Sequence, residues 1–320
     1  MTTVVVGAGL AGLMAARRLA EAGRPVVVLD KGRSPGGRLA TRRLDTPGGT
    51  AHLDHGAQFF TVRDARFGEL VATWEADGWV HRWCDGFAGG DGHPRYVGTG
   101  GMNALAKHLA EGLDIRCGQL VFAIRPSDNG SGWSVALDDG HHLEADAVIV
   151  TAPLPQSFSL LITAGITLPE ALMRTEYDRT LGLLMALDRP GAVPHPGGVQ
   201  QPHPDVAFIG DNQAKGISER PALTLHASPA FSLTHWDDDP VEIERLLTEL
   251  ARPWLGEAAV LTQQVKRWRF ATPQMLWPEA CWISHEGPAP VVLAGDAFAG
   301  PRVEGAAMSG WAAAEALSAR

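Results

Sequence analysis

The residues best placed to do chemistry stand within the first thirty. Gly7-Ala8-Gly9-Leu10-Ala11-Gly12 carries the spacing G-x-G-x-x-G, and Asp30 follows the first glycine by 23 residues. This spacing suits a diphosphate. Gly7 permits a tight turn, Gly9 lets backbone N–H groups approach a pyrophosphate, and Gly12 allows a helix to pack close to a sheet. Ala8, Leu10 and Ala11 belong to the same binding turn, and the helix N-terminus attracts phosphate charge. The elements that must position these groups are legible around them. Thr3 to Val6 is an all-apolar, β-branched strand, Leu13 to Ala22 has helical spacing, and Gly23-Arg24-Pro25 closes that helix. Val26 to Leu29 is a second buried strand that ends on Asp30, an acceptor for ribose hydroxyls. Strand, fingerprint, helix, strand and acid together predict a bound dinucleotide; the alternative is a glycine-rich turn without a ligand.

Lys31 to Arg43 is a glycine-rich loop with four arginines, suited to be a second clamp on a diphosphate through Lys31, Gly37 and Arg38, or else a solvated basic loop. Here the sequence resembles the FAD-binding amine-oxidase superfamily, in which a G-G-R loop follows the acid of the second strand. That resemblance favours FAD over NAD. It also implies that Leu53-Asp54-His55-Gly56-Ala57-Gln58-Phe59-Phe60 passes beside the flavin ring, with Ala57 allowing close approach, Gln58 bonding near the ring edge, and Phe59 beside it. For Phe59 and Phe60 core packing is an equal reading. Tyr96-Val97-Gly98-Thr99-Gly100-Gly101-Met102-Asn103 looks at first like a second fingerprint, but Asn103 replaces the last glycine and no buried strand precedes it. A loop and cap before a helix over Ala104 to Gly112 is the better reading.

Strands are expected over Ile115 to Ala123, which includes Val121 among the cofactor-binding residues, over Trp133 to Leu137, and over His142 to Val150. The segments Ser127 to Gly132 and Asp138-Asp139-Gly140 carry hairpin turn chemistry. His141-His142 reads as an exposed pair, and no metal site is expected. Beyond Pro155, strand-like runs at Leu181 to Leu187, Val206 to Ile209 and Leu223 to His226, and a helix over Asp239 to Leu250, suggest an antiparallel sheet with covering helices. That is the usual build of a substrate domain.

Val265 to Pro273 sets Lys266, Arg267 and Arg269 around Trp268 and Phe270. A strand delivering Trp268 or Arg269 to a cavity mouth would offer an aromatic face and a guanidinium to an anionic planar substrate. Pro290 to Asp296 is a further buried strand ending in Gly295-Asp296, and Val303-Glu304-Gly305-Ala306 opens the last helix. In flavoproteins of this type such an Asp binds the ribityl chain and the helix points its positive end at the flavin; a simple N-terminal cap is the alternative for Asp296.

Taken together, G-A-G-L-A-G, S-P-G-G-R-L-A-T-R-R, D-H-G-A-Q-F-F, K-R-W-R-F-A-T-P and G-D-A-F-A-G-P-R-V-E-G-A-A-M-S-G resemble the bacterial renalase family, a compact branch of the amine-oxidase-like flavoproteins. The resemblance runs end to end, with the substrate half matched by layout alone. It implies an oxidase of isomeric dihydronicotinamides, 2- or 6-dihydro-NAD(P) and related isomers, that passes hydride to flavin N5, reduces oxygen to hydrogen peroxide and releases NAD(P)⁺. Gln58, Trp268 and Arg269 are then the residues expected to position the two rings. Oxidation of a small amine, or FAD binding without catalysis, are the alternatives.

Composition bounds the rest. The 320 residues carry a net charge of −9, against a nucleic-acid or anionic-membrane surface, and are 45% apolar, as a globular chain should be. Three scattered cysteines, Cys84, Cys117 and Cys281, suggest a reducing, cytoplasmic setting, and neither a membrane span nor an export signal is expected. The predicted fold class is α/β, a Rossmann-type FAD-binding domain with a smaller α+β substrate domain, as in amine oxidases and p-hydroxybenzoate hydroxylase. The FAD domain is expected over 1–50, 97–155 and 266–320, and the substrate domain over 51–96 and 156–265. With one complete fingerprint in a short chain, any nicotinamide is expected to enter as substrate.

Overall fold

The computed structural model describes residues 2–87, 92–128, 130–298 and 300–318. Asn129 of the expected turn Ser127 to Gly132 and Ala299 of the G-D-A-F-A-G motif lie outside them. Two compact units result, one from Met1–Gly37, Ala106–Glu176 and Pro273–Arg320, the other from Arg38–Leu105 and Tyr177–Thr272.

The chain begins with β1 (Thr3–Val6), α1 (Leu10–Glu21) and β2 (Val26–Asp30). The second unit starts with the hairpin β3 (Thr41–Thr46) and β4 (Gly49–Asp54), then α2 (Ala65–Ala76) and the hairpin β5 (Val80–Cys84) and β6 (Arg95–Gly98). Helix α3 (Met102–Ala110) leads to β7 (Asp114–Cys117), the meander β8 (Val121–Pro126), β9 (Trp133–Leu137) and β10 (His142–Ala145), and on to β11 (Ala147–Val150), α4 (Leu154–Thr163) and α5 (Glu170–Met173). The second unit resumes with β12 (Tyr177–Leu187), β13 (Gly198–His203), β14 (Val206–Asp211), β15 (Ala222–Ala227), α6 (Pro229–Thr234), α7 (Pro240–Leu255) and β16 (Val260–Pro273). Then come β17 (Trp282–Ser284), β18 (Val291–Leu293) and α8 (Val303–Ser318).

In the first unit a six-stranded sheet has the order β17-β18-β11-β1-β2-β7, parallel except for the edge strand β17. All four residues of β1 are buried, because a central parallel strand is covered on both faces. Two expected strands each divide between sheets. Ile115 to Ala123 breaks at Gly118, whose φ of +73° turns the chain from β7 into the three-stranded sheet β10-β9-β8. His142 to Val150 breaks at Asp146, where the meander ends and β11 joins the parallel sheet beside β1. Helix α8 lies so close to α1 that a Cβ on Gly310 would stand 2.0 Å from the Ala11 carbonyl oxygen. No helix of the described residues is long and apolar enough to cross a membrane.

The second unit is built on a sheet of order β13-β14-β15-β12-β16. One face is covered by α7, whose Ile243, Leu247 and Ala251 pack on Leu181, Leu183, Met185, Leu223 and Leu225. Asp239 caps α7 by accepting from the Val241 N–H, with Pro240 at the first helical position. The helix runs to Leu255, past the expected end at Leu250. The other face takes the β3–β4 hairpin, Leu44, Ala51 and Leu53 meeting Leu184, Ala186 and Ala222.

These packings set boundaries that differ from the expected ones. Residues 38–50 go with the second unit because β3 is stapled to β4. Residues 97–105 stay there because β6 pairs with β5, and 266–272 because β16 belongs to the five-stranded sheet. Residues 156–176 join the first unit, where Thr163 Oγ1 accepts from the Ile124 N–H of β8.

Candidate functional site

In the first unit the turn after β1 is shaped by overlaps that only glycine avoids. Gly7 sits at φ +110°, and a Cβ on Gly12 would lie 1.8 Å from the Gly7 carbonyl oxygen. Gly9 differs, since its Cβ would meet nothing within 4 Å. Gly9 is also the N-cap of α1, with no side-chain cap and no acidic residue in the first turn. The first N–H groups of α1, at Leu10, Ala11 and Gly12, thus lack a capping side chain, and open space stands over Gly9. Those are the two conditions for a bound diphosphate.

Asp30 holds this turn. Its Oδ2 accepts from the Ala8 N–H and its Oδ1 from the Gly32 N–H, both at 2.6 Å. Each oxygen keeps a lone pair for a ribose hydroxyl. The glycine-rich loop lies against the fingerprint: the Gly36 N–H donates to the Ala8 carbonyl at 2.8 Å, and Gly37 passes with its Cβ position 3.3 Å from Gly9 Cα. Lys31 is exposed and donates to Gln156 Oε1. The Arg38 guanidinium is drawn within the second unit to the Phe270 and Ala271 carbonyls, at 3.2 and 3.1 Å. Those carbonyls of β16 were not anticipated as partners for a diphosphate clamp.

Gly295 after β18 donates its N–H to Ser309 Oγ at 2.8 Å, and Asp296 beside it is buried. Val303, Glu304, Gly305 and Ala306 form the first turn of α8, where a Cβ on Gly305 would overlap the Gly300 carbonyl oxygen at 2.3 Å. Val121 is buried at the start of β8. Thr151, which was not anticipated, closes the fingerprint from behind, its Oγ1 donating to the carbonyls of Val6 and Gly7. Ser309 stands inside the V-E-G-A-A-M-S-G string, but its bond to the Gly295 N–H was not read there; Thr151 acts through backbone carbonyls more than 140 residues away.

The second unit holds a buried polar network around Asp54. Lys215 Nζ lies 3.1 Å from Asp54 Oδ2, and both side chains are wholly buried. Asp54 Oδ1 accepts from Thr41 Oγ1 at 2.6 Å and from the Met102 N–H at 2.9 Å, while Thr41 Oγ1 also accepts from the Asn103 N–H. The N-terminus of α3 is thereby capped from within. This is why Gly98 to Asn103 is no second phosphate site, although a short strand, β6, does precede it, antiparallel to β5.

Gln58 is drawn into the same network. Its Oε1 accepts from Lys215 Nζ at 3.3 Å, and its Nε2 donates to the Asp54 and Gly56 carbonyls. It therefore braces the Asp54–Ala57 loop from a buried position. Ala57 donates its N–H to the Arg38 carbonyl, and a Cβ on Gly56 would stand 1.9 Å from that same oxygen. The His55 carbonyl accepts from Trp268 Nε1 at 2.6 Å and faces His226 Nε2 at 3.1 Å, while the His55 ring stacks on Trp268 with centroids 5.3 Å apart. Arg269 is exposed, on the opposite side of β16 from Trp268 as alternation requires. Trp268 and Gln58 thus belong to one constellation and Arg269 stands apart from it. Phe59 packs with Trp83, Phe87 and Phe208, and Phe60 stacks on Tyr96. His141 and His142 are exposed, His141 beside Asp139.

Lys215, His226, Asn212 and Thr224 were not anticipated. The Thr224 hydroxyl donates to the Asp54 carbonyl, and Asn212 accepts from the Asp54 N–H. A lysine in a loop reads as exposed unless a buried partner is known.

Charge in this network is strongly conditioned. Burial pulls the Lys215 ammonium below its ordinary range, with Asp54 opposing. Burial lowers His226 to about 4 and His55 to about 3, with Lys266 the next cause for His55. Both imidazoles are neutral at pH 7. Below the ordinary value of 6.5 the unfolded chain takes up protons that the folded chain refuses, so stability falls as pH drops toward 4. His226 alone accounts for about 3 kcal/mol across that window. His226→Gln is expected to flatten the difference between urea midpoints measured at pH 7 and pH 4.5, and an unchanged difference would refute the assignment.

Comparison with known proteins gives the family and the fold. Residues 79–318, three quarters of the chain, match the family model for flavin containing amine oxidoreductases, and residues 5–74 match an NAD(P)-binding Rossmann-like domain. A proposed protoporphyrinogen oxidase from Exiguobacterium sp. 255-15 shares the fold at a TM-score of 0.76 and 16% identity, over 99% of this chain and 98% of that one. Cyclohexylamine oxidase from Brevibacterium oxydans IH-35A superposes at 0.71 with 15% identity, over 99% and 98%. By sequence, a lysine-specific histone demethylase 1 homolog 3 of Oryza sativa subsp. indica is 47% identical over 60 residues, 19% of this chain and 7% of the demethylase homolog.

Proposed function

Because the chain belongs to the family of flavin-containing amine oxidoreductases, a class of FAD-dependent oxidoreductases, we propose that it is a renalase-like oxidase of isomeric dihydronicotinamides. The balanced reaction is dihydro-NAD(P) isomer plus O₂ plus H⁺ giving NAD(P)⁺ plus H₂O₂. FAD, when bound, supplies the two-electron acceptor between substrate and oxygen. Gly7, Ala8, Gly9, Leu10, Ala11 and Gly12 hold its diphosphate, Asp30 its adenosine ribose, and Asp296 with the first turn of α8 its ribityl and pyrimidine portions. Lys31, Gly37, Val121 and Gly295 are assigned to the same cofactor. Trp268 offers the substrate an indole whose N–H is anchored on the His55 carbonyl, and Gln58 holds the loop that presents that carbonyl.

The observation that carries this reading is the state of the ionisable groups around Trp268. Asp54 is neutralised by Lys215, and both histidines are neutral. An alkylammonium would find the carboxylate of this network, Asp54, already paired. The two tyrosines are also engaged in ring packing, Tyr96 on Phe60 and Tyr177 on Phe270. Hydride loss from a dihydropyridine needs neither a base nor an anionic anchor, only two rings held in register. The three unpaired cysteines accord with a cytoplasmic setting.

Anaerobic stopped-flow mixing separates the candidates. Isomeric dihydronicotinamides are expected to bleach the flavin band, whereas putrescine, cyclohexylamine and other small amines leave it oxidised. Bleaching by amines alone would establish an amine oxidase, and no bleaching by any donor a non-catalytic flavoprotein.

A further inference from the structure

The environment of the His55–Trp268 stack holds more positive charge than the network needs. Arg42 on β3 and Lys266 on β16 both lie within electrostatic reach of His55 and of each other. Lys266 stands two residues before Trp268, so strand alternation puts the two side chains on one face of β16. Among the described residues neither cation forms an ion pair with a carboxylate. Other exposed arginines do, such as Arg116 with Asp114, Arg245 with Glu242 and Arg252 with Glu249. In a chain with a net charge of −9, Arg42 and Lys266 thus keep their charge uncompensated beside the stack.

A second observation lies in the same place. His55 Nδ1 is buried and has no hydrogen-bond partner. A buried polar nitrogen left unsatisfied carries a desolvation cost that a ligand oxygen removes. Burial and the Arg42 charge also pull the Lys266 ammonium down, a penalty that an anion would relieve.

We propose that Arg42 and Lys266, flanking the His55–Trp268 stack, form an anion subsite that takes a phosphoryl group of the substrate. The proposal rests on the dihydronicotinamide reading and sharpens it, since it selects a phosphorylated dinucleotide over a bare dihydropyridine and repels cationic amines. Arg42 supplies a planar fork for phosphoryl oxygens, and Lys266 a point charge. Trp268, adjacent on the same strand face, supplies the planar surface. Arg269, exposed on the opposite side of the strand, takes no part.

The test uses FAD-loaded protein, so that the nucleotide turn of the first unit is filled, and ADP-ribose as probe, followed by calorimetry at low and moderate salt. The parent is expected to bind ADP-ribose more tightly than adenosine, and more weakly as salt rises. Arg42→Gln and Lys266→Gln are each expected to lose about ten-fold in ADP-ribose affinity, the scale of one charge-assisted hydrogen bond. Lys266→Arg is expected to keep most of it. Flavin absorbance and thermal midpoint, measured on every variant, report a folding defect separately. Salt-independent binding by the parent, equal affinity for adenosine, or variants that bind as the parent does would each overturn the subsite. If isomeric dihydronicotinamides reduce the flavin while the variants bind ADP-ribose normally, the function stands and the subsite falls. If none reduces it while ADP-ribose binding still depends on both cations, the subsite stands and the function falls.

Discussion

Lys215→Met is expected to destabilise the protein by about 3–5 kcal/mol, because it leaves the Asp54 carboxylate buried without its counter-charge. Asp54 retains Thr41 Oγ1 and the Met102 N–H on Oδ1, but Oδ2 faces Lys215 Nζ at 3.1 Å and would lose that partner. The consequences spread along the network. Gln58 Oε1 loses its donor as well, and Gln58 is what ties the Asp54 and Gly56 carbonyls together. Urea unfolding measures the effect directly. The double variant Asp54→Asn with Lys215→Met removes both charges and is expected to be more stable than Lys215→Met alone, since no uncompensated ion then remains. A loss under about 1 kcal/mol for Lys215→Met, the scale of an exposed pair, would show that the buried pair is not what holds this loop.

The second large effect separates two glycines of one motif. Gly12→Ala is expected to cost about 3 kcal/mol or more and to yield protein without flavin, at or beyond the upper end for overpacking, because its Cβ would stand 1.8 Å from the Gly7 carbonyl oxygen. A backbone oxygen cannot swing aside as the tip of a flexible side chain would, so α1 must lift from the turn. Gly9→Val is expected to leave the urea midpoint near that of the parent protein stripped of flavin, since nothing lies within 4 Å of that Cβ, and yet to abolish FAD binding by filling the space over the helix N-terminus. The absorption spectrum of each purified variant, read beside its unfolding curve, distinguishes the outcomes. Flavin retained in Gly9→Val would refute the cradle.

The contrast between those glycines marks how far the sequence could be read. G-x-G-x-x-G between two apolar runs is a local pattern, and its consequences, β1, α1, β2 and the acid that closes them, are local too. The same holds for the hairpin turns, for Asp239-Pro240 at the start of α7, and for α8 beginning at Val303. Local patterns are less informative about where a strand changes sheets. Ile115 to Ala123 and His142 to Val150 each read as one strand, and each is divided by distant pairing partners, Val28 for Ile115 and Thr3 for Ala147. The unit boundaries moved for that reason, since β3 joins the unit against which Leu44 and Leu53 are buried.

The candidate site divides the same way. Gln58 and Trp268 were legible as residue types in unusual strings, but not the direction of their hydrogen bonds. The Gln58 amide is consumed by Lys215 and two carbonyls, and the Trp268 N–H by His55. Lys215 carried no signal at all, because burial of a lysine becomes favourable only once a carboxylate from a distant strand is already there.

By itself, then, the sequence determined the nucleotide turn, the α/β class and the flavoprotein family, all of which follow from short-range spacing of glycine, acid and apolar residues. Only the tertiary structure decided which acid is neutralised, which histidines stay uncharged and which cations remain without a partner. Those are properties of desolvation and of charges brought together across some 160 residues of chain, as from Asp54 to Lys215, and no local pattern encodes them.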